Sequence, residues 1–150
     1  MQVSDIMTKD VKTGDPNDTF AAVAKILHDN GISSVIIKGD KGPAGIVTER
    51  DLVNVVADDL DPKEVRVSDR MTTDLTTVEP RTDIAEAAKL MAERRIRHLP
   101  VVEKGELAGI ISIRDLTSWA VEEMTGGHEL PDMERSQAAL SAAMEAKRKE

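Results

Sequence analysis

The chain has 150 residues, a formal net charge of −8, no cysteine, and only two aromatic residues, Phe20 and Trp119. The lack of cysteine excludes a disulfide framework, a thiol nucleophile and a thiolate metal site, and the excess of carboxylates disfavours a general nucleic-acid binder, which needs a basic face to neutralise phosphates. Because the N-terminus is polar and no apolar run approaches the roughly 20 residues of a membrane span, we expect a cytoplasmic protein without membrane contact.

The first predicted elements follow the order β-α-β-β-α. The run "VKT" (11–13) predicts a brief strand, and the helix after Pro16 places Phe20 and Leu27 on one face and stops at Gly31. The runs "SSVIIK" and "AGIV" predict two strands joined by the turn "GDKGP". A second helix closes the unit and presents an apolar face of Leu52, Val55 and Val56.

The same series returns 64 residues later without an insertion. "VSDIMTKDVKTGDP" from Val3 aligns with "VSDRMTTDLTTVEP" from Val67, "FAAVAKILHDNGI" with "IAEAAKLMAERRI", and "GIVTERDL" with "GIISIRDL". Since a unit of about 60 residues is marginal alone, the two copies predict an α/β (α+β) fold in which a pseudo-twofold pair shares one core. The expected divisions are 1–62 for the first copy, 63–122 for the second and 123–150 for a helical tail.

The predicted tail helix, "MERSQAALSAAMEAKRKE", starts at Pro131 or Asp132 and ends in basic residues that suit its C-terminal dipole. Its narrow apolar stripe cannot form a core alone, so it docks on a second subunit, docks on its own module or stays partly disordered, and docking on a second subunit is the favoured expectation. The helix before the tail presents Leu116, Trp119 and Ala120. Together with the apolar face of the first copy, these residues predict a homodimer in which Trp119 is shielded.

Thr48-Glu49-Arg50-Asp51 has the pattern of a capping box, in which a hydroxyl accepts an early backbone N–H and an acid three residues later bonds back. Ser112 to Asp115 repeats the pattern. Capping explains an isolated S/T-x-x-D, but it does not require that the whole string G-I-[VI]-[TS]-x-R-D-L be retained in both copies. From the residues alone, a cap and a cap that also binds a ligand both stay open.

This string, the openings "DIMT" and "DRMT", and "RIRHLPVVE" together resemble the tandem cystathionine-β-synthase (CBS) domain pair, a regulatory module, over residues 3–122. The resemblance implies two clefts between the repeats that hold AMP, ADP, ATP, S-adenosylmethionine or NAD. It implies that Asp51 and Asp115 accept the ribose diol, and that Thr48 and Ser112 meet phosphate at helix N-termini. It also implies an adenine slot near Ile46, Ile110, Thr13 and Thr77.

The copies differ where the family often places basic residues that bind phosphate. Arg97 and His98 stand there in the second copy, and Ser33 and Ser34 in the first. If Arg97 and His98 bind phosphate, the clefts are unequal, and nucleotides bind more tightly as His98 protonates near an ordinary pKa of about 6.5. The alternative is a solvated pair on an edge strand. Pro100 is either a residue of the same site or the mark of a strand entry.

An adenosyl sensor that signals through assembly or through a regulated protein is the favoured function, with no cofactor beyond the ligand. The first alternative is a ligand-free dimerisation scaffold. A nucleotide enzyme is the second, and since no catalytic arrangement is present we expect no enzyme. His28, His98 and His128 show no ligand spacing, so no metal site is expected. Arg50 and Arg114 could reach phosphates or could pair with a neighbouring acid on the surface. For Arg50 the surface ion pair is favoured.

Overall fold

The computed structural model of the protein describes residues 1–126. The predicted series is present, and a 3₁₀ turn (Val3–Asp5) and a short helix α3 (Val67–Arg70), neither of which was predicted, open the two repeats. The other elements are β1 (Thr13–Gly14), α1 (Phe20–Asn30), β2 (Ser34–Gly39), β3 (Gly42–Thr48), α2 (Glu49–Ala57), α4 (Ile84–Arg94), β4 (His98–Glu103), β5 (Glu106–Ser112) and α5 (Ile113–Met124). The tail helix predicted from Pro131 or Asp132 lies outside the described residues.

The first repeat is a three-stranded sheet with two helices packed on it. β2 is central, because it pairs with β1 in parallel and with β3 antiparallel. α1 begins where Thr19 Oγ1 accepts the N–H of Ala22 at 3.2 Å, and it ends at Gly31, whose φ of 60° suits glycine. The core beneath the helices consists of Phe20, Val23, Leu27, Val35, Ile37, Val47, Val55 and Val67.

The second repeat keeps the hairpin of β4 and β5 but not the leading strand. The strand predicted at 75–77 is wrong, since these residues lie outside the strands that the structure describes, and the pairing is reduced to a single parallel bridge between the next residue, Val78, and Val101. The reason lies at Pro100. In the first repeat, Ile36 donates its N–H to the Lys12 carbonyl at 3.3 Å. Pro100 occupies the equivalent position and has no N–H to donate.

The leading segment of each repeat packs on the other repeat. The Val3 N–H donates to the Thr82 carbonyl, and the Val67 N–H donates to the Asp18 carbonyl, both at 2.8 Å. The side chain of Val67 is fully buried in the core of the first repeat. Two backbone bridges add to these contacts between a leading segment and the other repeat: one joins Thr8 with Ile110, and the other joins Thr72 with Ile46. Each repeat therefore depends on a segment that belongs, by sequence, to the other copy.

The apolar faces predicted on α2 and α5 are used largely inside the protein. Val55 is fully buried in the first core and Leu116 is 7% exposed, so neither is free to contact a second subunit. Of the predicted face of α2, Val56 is exposed, at 69%, and it is joined by Val53, which was not predicted and is 64% exposed. This difference follows from the helical period, which turns Val55 toward the sheet and the residues beside it toward solvent.

The chain divides into two compact units, Met1–Leu116 and Thr117–Glu150. The first contains the two sheets, α1 to α4 and the first turn of α5. In the second, α5 continues to Met124, and the Thr125 N–H donates to the Val121 carbonyl at 3.0 Å. No helix within residues 1–126 combines the length and apolar character that crossing a bilayer requires.

Candidate functional site

Two equivalent helix starts carry the predicted carboxylates. At α2 the Thr48 N–H donates to Asp51 Oδ2, and at α5 the Ser112 N–H donates to Asp115 Oδ2, both at 2.8 Å. The Thr48 and Ser112 hydroxyls also donate to these oxygens, at 3.4 and 3.0 Å. The capping interpretation is therefore confirmed in both repeats. In each aspartate, Oδ1 makes no hydrogen bond to a residue that the structure describes, which leaves one oxygen available for another donor.

The two carboxylates differ in burial. Asp115 is 7% exposed, whereas Asp51 is half-buried. Burial raises the pKa of the Asp115 carboxyl, because desolvation disfavours its charged form, while hydrogen bonds from Ser112 and the positive charge of Arg114 oppose this shift. A hydrogen-bond donor on a ligand would therefore stabilise the charged form of the Asp115 carboxylate.

The predicted site residues of the first repeat share one face of its sheet. Ser34 pairs with Thr48 across β2 and β3, Ile36 pairs with Ile46, and Thr13 on β1 pairs with Ile36. The residues between them along β2 and β3 pack beneath the helices. Since side chains alternate along a strand, these five residues lie on the face opposite the helices.

The second repeat repeats this arrangement with different residues. His98 pairs with Ser112, and Pro100, which is buried within β4 rather than at its entry, pairs with Ile110. Thr77 is exposed and lies outside the strands. It is the predicted residue that the structure does not join to this face.

His98, the first residue of β4, carries no charge in the ligand-free protein at neutral pH. Burial, followed by the positive charges of Arg97 and Arg114, lowers the pKa of His98 to about 4. The expectation that His98 titrates near pH 6.5 in the ligand-free protein is therefore wrong. Arg97 is exposed, so the two residues differ in their surroundings and do not form one solvated pair.

Ser33 and His98 are in contact, although the alignment of the two repeats assigned them to separate clefts. Ser33 Oγ lies 2.8 Å from His98 Nε2, and the tautomer of the ring decides which atom donates. This contact has no local signal, because it joins residues 65 positions apart. Arg114, for which the sequence left phosphate binding and a surface ion pair open, forms no ion pair with a residue of the described part. Its positive charge lowers the pKa of His98 and opposes the raised pKa of Asp115.

Other features of residues 1–126 do not extend this region. A cavity of about 540 Å³ beside the β2–β3 turn contains no predicted site residue and is lined by Asp15, Pro16, Asn17, Lys38, Gly39, Asp40 and Ala44. No group of three or more histidines, aspartates or glutamates within these residues could hold a metal ion.

Comparison with known proteins finds the same family over both repeats. The family model described as "CBS domain" matches residues 3–58 and 65–122. A protein of Methanopyrus kandleri is 40% identical over 119 residues, which cover 77% of this chain and 61% of that protein, just under two thirds of its length. The structure of a protein with CBS domains from Burkholderia ambifaria is 33% identical, with a TM-score of 0.77 and coverage of 87% of this chain and 98% of that one.

A second solved structure was determined with ligands. It is the CBS domain pair of protein MJ0100 in complex with 5′-methylthioadenosine and S-adenosyl-L-methionine. The TM-score is 0.76, and the alignment covers 82% of this chain and 98% of that one. At 23% identity this likeness concerns the fold alone.

Proposed function

Because the chain belongs to the CBS-domain family, we propose that it is a regulatory module that binds an adenosine-containing ligand between its two repeats. AMP, ADP, ATP, S-adenosylmethionine and NAD are the candidate ligands. The observation that carries this function is the pair of capping aspartates, Asp51 and Asp115, each with one carboxylate oxygen committed to its helix and the other available. The adenosyl ligands bound to the pair of protein MJ0100 support the same chemical class.

The predicted residues that share the site face each have a role in this function. Asp51 or Asp115 accepts the two hydroxyl hydrogens of the ribose diol through its second oxygen, a charge-assisted pairing. The hydroxyl of Thr48 or Ser112 and the helix N-terminus behind it favour a phosphate. The apolar faces of Ile46 and Ile110, the latter opposite Pro100, take the adenine, with Thr13 on β1 at the margin and Ser34 beside Thr48. Thr77, which is exposed and lies off this face, is left out of the slot.

Isothermal titration with AMP, ATP, S-adenosylmethionine and NAD, together with thermal shift, tests this function. We expect at least one compound to bind and to raise the melting temperature, because a ligand of the folded state stabilises it by mass action. If none of them binds, the ligand-free scaffold is the better function.

Replacing Arg97 and His98 together by serine, the residue of the first copy, should weaken AMP and ATP binding at the better cleft about tenfold or more. One lost charge-assisted hydrogen bond is worth about 1.5–3 kcal/mol. Because adenosine carries no phosphate, its affinity should change little. Arg94→Ser, which removes an exposed arginine at the end of α4, is the matched control for charge. Normal nucleotide binding by the double variant would remove Arg97 and His98 from the site.

We also propose that the module signals as a homodimer through the exposed side of α2. Val53 and Val56 are 64% and 69% exposed and lie one turn apart, so a second copy would bury both. Val53→Glu with Val56→Glu should give a monomer by light scattering at micromolar concentration. Asn54→Glu with Ala57→Glu adds the same two charges at neighbouring exposed positions of α2 and should leave the dimer intact. A parent protein that is already monomeric would contradict the assembly.

A further inference from the structure

A hydrogen bond between Ser33 and His98 connects the starts of the two helices that carry Asp51 and Asp115. On one side, the Ser33 carbonyl accepts the N–H of Glu49, the first residue of α2, at 3.2 Å. On the other, the Arg97 carbonyl accepts the N–H of Ile113, the first residue of α5, at 2.9 Å. The bond of 2.8 Å between Ser33 Oγ and His98 Nε2 joins these two stretches across the repeats.

The charged groups around His98 come mainly from the second repeat. Arg97 precedes His98 on the chain, and Arg114 lies in the first turn of α5. The Asp115 carboxylate is bound to Ser112, which pairs with His98 across the hairpin. From the first repeat, the direct contact is the uncharged Ser33 hydroxyl, and the nearest charged residue of the linked backbone is Glu49, which is exposed.

Two of the three causes that keep His98 neutral can be cancelled by a ligand. Burial comes first, but the charges of Arg97 and Arg114 also lower the pKa of His98, which lies near 4. An anion held by these arginines neutralises their charge and adds an opposite charge near the ring, so both effects favour the imidazolium. Sulfate, phosphate monoesters and polyphosphates share this property.

We propose that His98 takes up a proton when an anionic group binds at Arg97 and Arg114, and that this proton reports occupancy of the second repeat to Ser33 of the first. This step rests on the proposed function, because the anion is the charged part of the ligand in the second repeat. The proton comes from solvent and goes to the ring nitrogen that lacks one. A neutral ring accepts or donates at Nε2 according to its tautomer, whereas an imidazolium only donates. Ser33 Oγ then becomes the acceptor, and its own hydrogen turns to another partner.

The sign of the pH dependence follows from linkage. If the anion raises the pKa of His98 from about 4 toward its ordinary value, the protonated protein binds the anion more tightly. Affinity therefore rises as the pH falls below about 6.5 and levels off near the pKa of the ligand-free protein. With a fully restored pKa, sulfate should bind up to about 30-fold more tightly at pH 5 than at pH 7.5.

Histidine NMR on the full chain, with and without inorganic sulfate, tests this coupling directly. The charge of sulfate is constant over the working range, so the imidazole resonance of His98, identified with His98→Gln, reports only the protein. Without sulfate the resonance should stay at its neutral position down to pH 5.5, and with sulfate it should move toward the protonated position. The exposed ring of His28 serves as the reference for general salt effects.

The variants separate the coupling from binding itself. Arg97→Gln with Arg114→Gln should raise the pKa of His98 without sulfate and abolish its response, whereas His28→Gln should change neither. Because the Ser33 carbonyl accepts the Glu49 N–H, sulfate should also shift the Glu49 amide resonance of the parent protein. Ser33→Ala should keep the proton uptake but remove this shift. If AMP binds at pH 7.5 and the His98 resonance does not move with sulfate, the coupling is wrong and the proposed function stands. If neither sulfate nor any adenosyl compound binds, both fall.

Discussion

Asp115→Asn should weaken binding of the adenosyl ligand about ten- to hundredfold at the second repeat, and Asp51→Asn should do the same at the first. Each variant loses the charge that pairs with the ribose diol, and a hydrogen bond to a charged group is worth about 1.5–3 kcal/mol. Asparagine keeps an acceptor for the helix cap, so the fold should survive. Isothermal titration should show one weakened binding event in each single variant and two in the double variant.

Although Asp115→Asn should weaken ligand binding, it should increase the stability of the ligand-free protein. Burial raises the pKa of this carboxyl above its value in the unfolded chain, so its contribution to stability is greatest at low pH and declines as the pH rises through the folded-state pKa. An asparagine is uncharged at every pH. Asp115→Asn should therefore raise the melting temperature at pH 7, and this gain should vanish as the pH falls below the pKa of the unfolded carboxyl.

Asp51→Asn is the matched control, because Asp51 makes the same cap but is only half-buried. Its effect on the melting temperature should be smaller than that of Asp115→Asn. A variant at Asp115 that is less stable and binds normally would mean that the carboxylate serves the helix cap alone.

Gly45→Ala and Gly109→Ala should each destabilise the protein by about 1–3 kcal/mol, the usual cost of overpacking a tight contact. A Cβ at Gly45 would lie 2.6 Å from Met71 Sδ and 2.9 Å from the Thr72 carbonyl oxygen. At Gly109 it would lie 2.7 Å from Met7 Sδ and 2.8 Å from the Thr8 carbonyl oxygen. Because both glycines lack a Cβ, the leading segment of the other repeat can pack directly against the backbone at these positions. Thermal and denaturant unfolding measure the loss.

The backbone makes this clash hard to relieve. Thr72 and Ile46 exchange two hydrogen bonds of 3.0 Å, which hold the Thr72 carbonyl over Gly45, whereas the Met71 side chain can turn aside. Adding Met71→Ala to Gly45→Ala should therefore restore only part of the stability. If the double variant regained all of it, the backbone contact would not be the cause.

Gly31→Arg is the control for the glycine variants, since Arg95 holds the equivalent position in the second repeat. Gly31 has a φ of 60°, a Cβ added to it would meet no atom of the described residues within 4 Å, and Arg95 adopts a φ of 54°. The variant should cost about 1 kcal/mol, the strain of a left-handed residue without any clash. If Gly45→Ala cost no more than Gly31→Arg, the clash with the leading segment would not be what requires glycine at position 45.

Local patterns were sufficient for the repeat, the order of its elements and the helix caps. The spacing of Phe20 and Leu27, the stop at Gly31 and the pattern from Thr48 to Asp51 all depend on residues within one or two turns of each other. Interactions of such short range can be predicted from the local sequence. Because the two copies are offset by a constant 64 residues, a prediction made for one copy also applied to the other.

Interactions between the copies were decided only by the tertiary structure. The exchange of leading segments, the contact of Ser33 with His98 and the loss of the strand beside Pro100 each join residues that are distant in the chain. The protonation of His98 depends in addition on burial and on the position of Arg114. A sequence shows which residues are ionisable, but the pKa depends on how many water molecules and charges surround the group once the chain has folded.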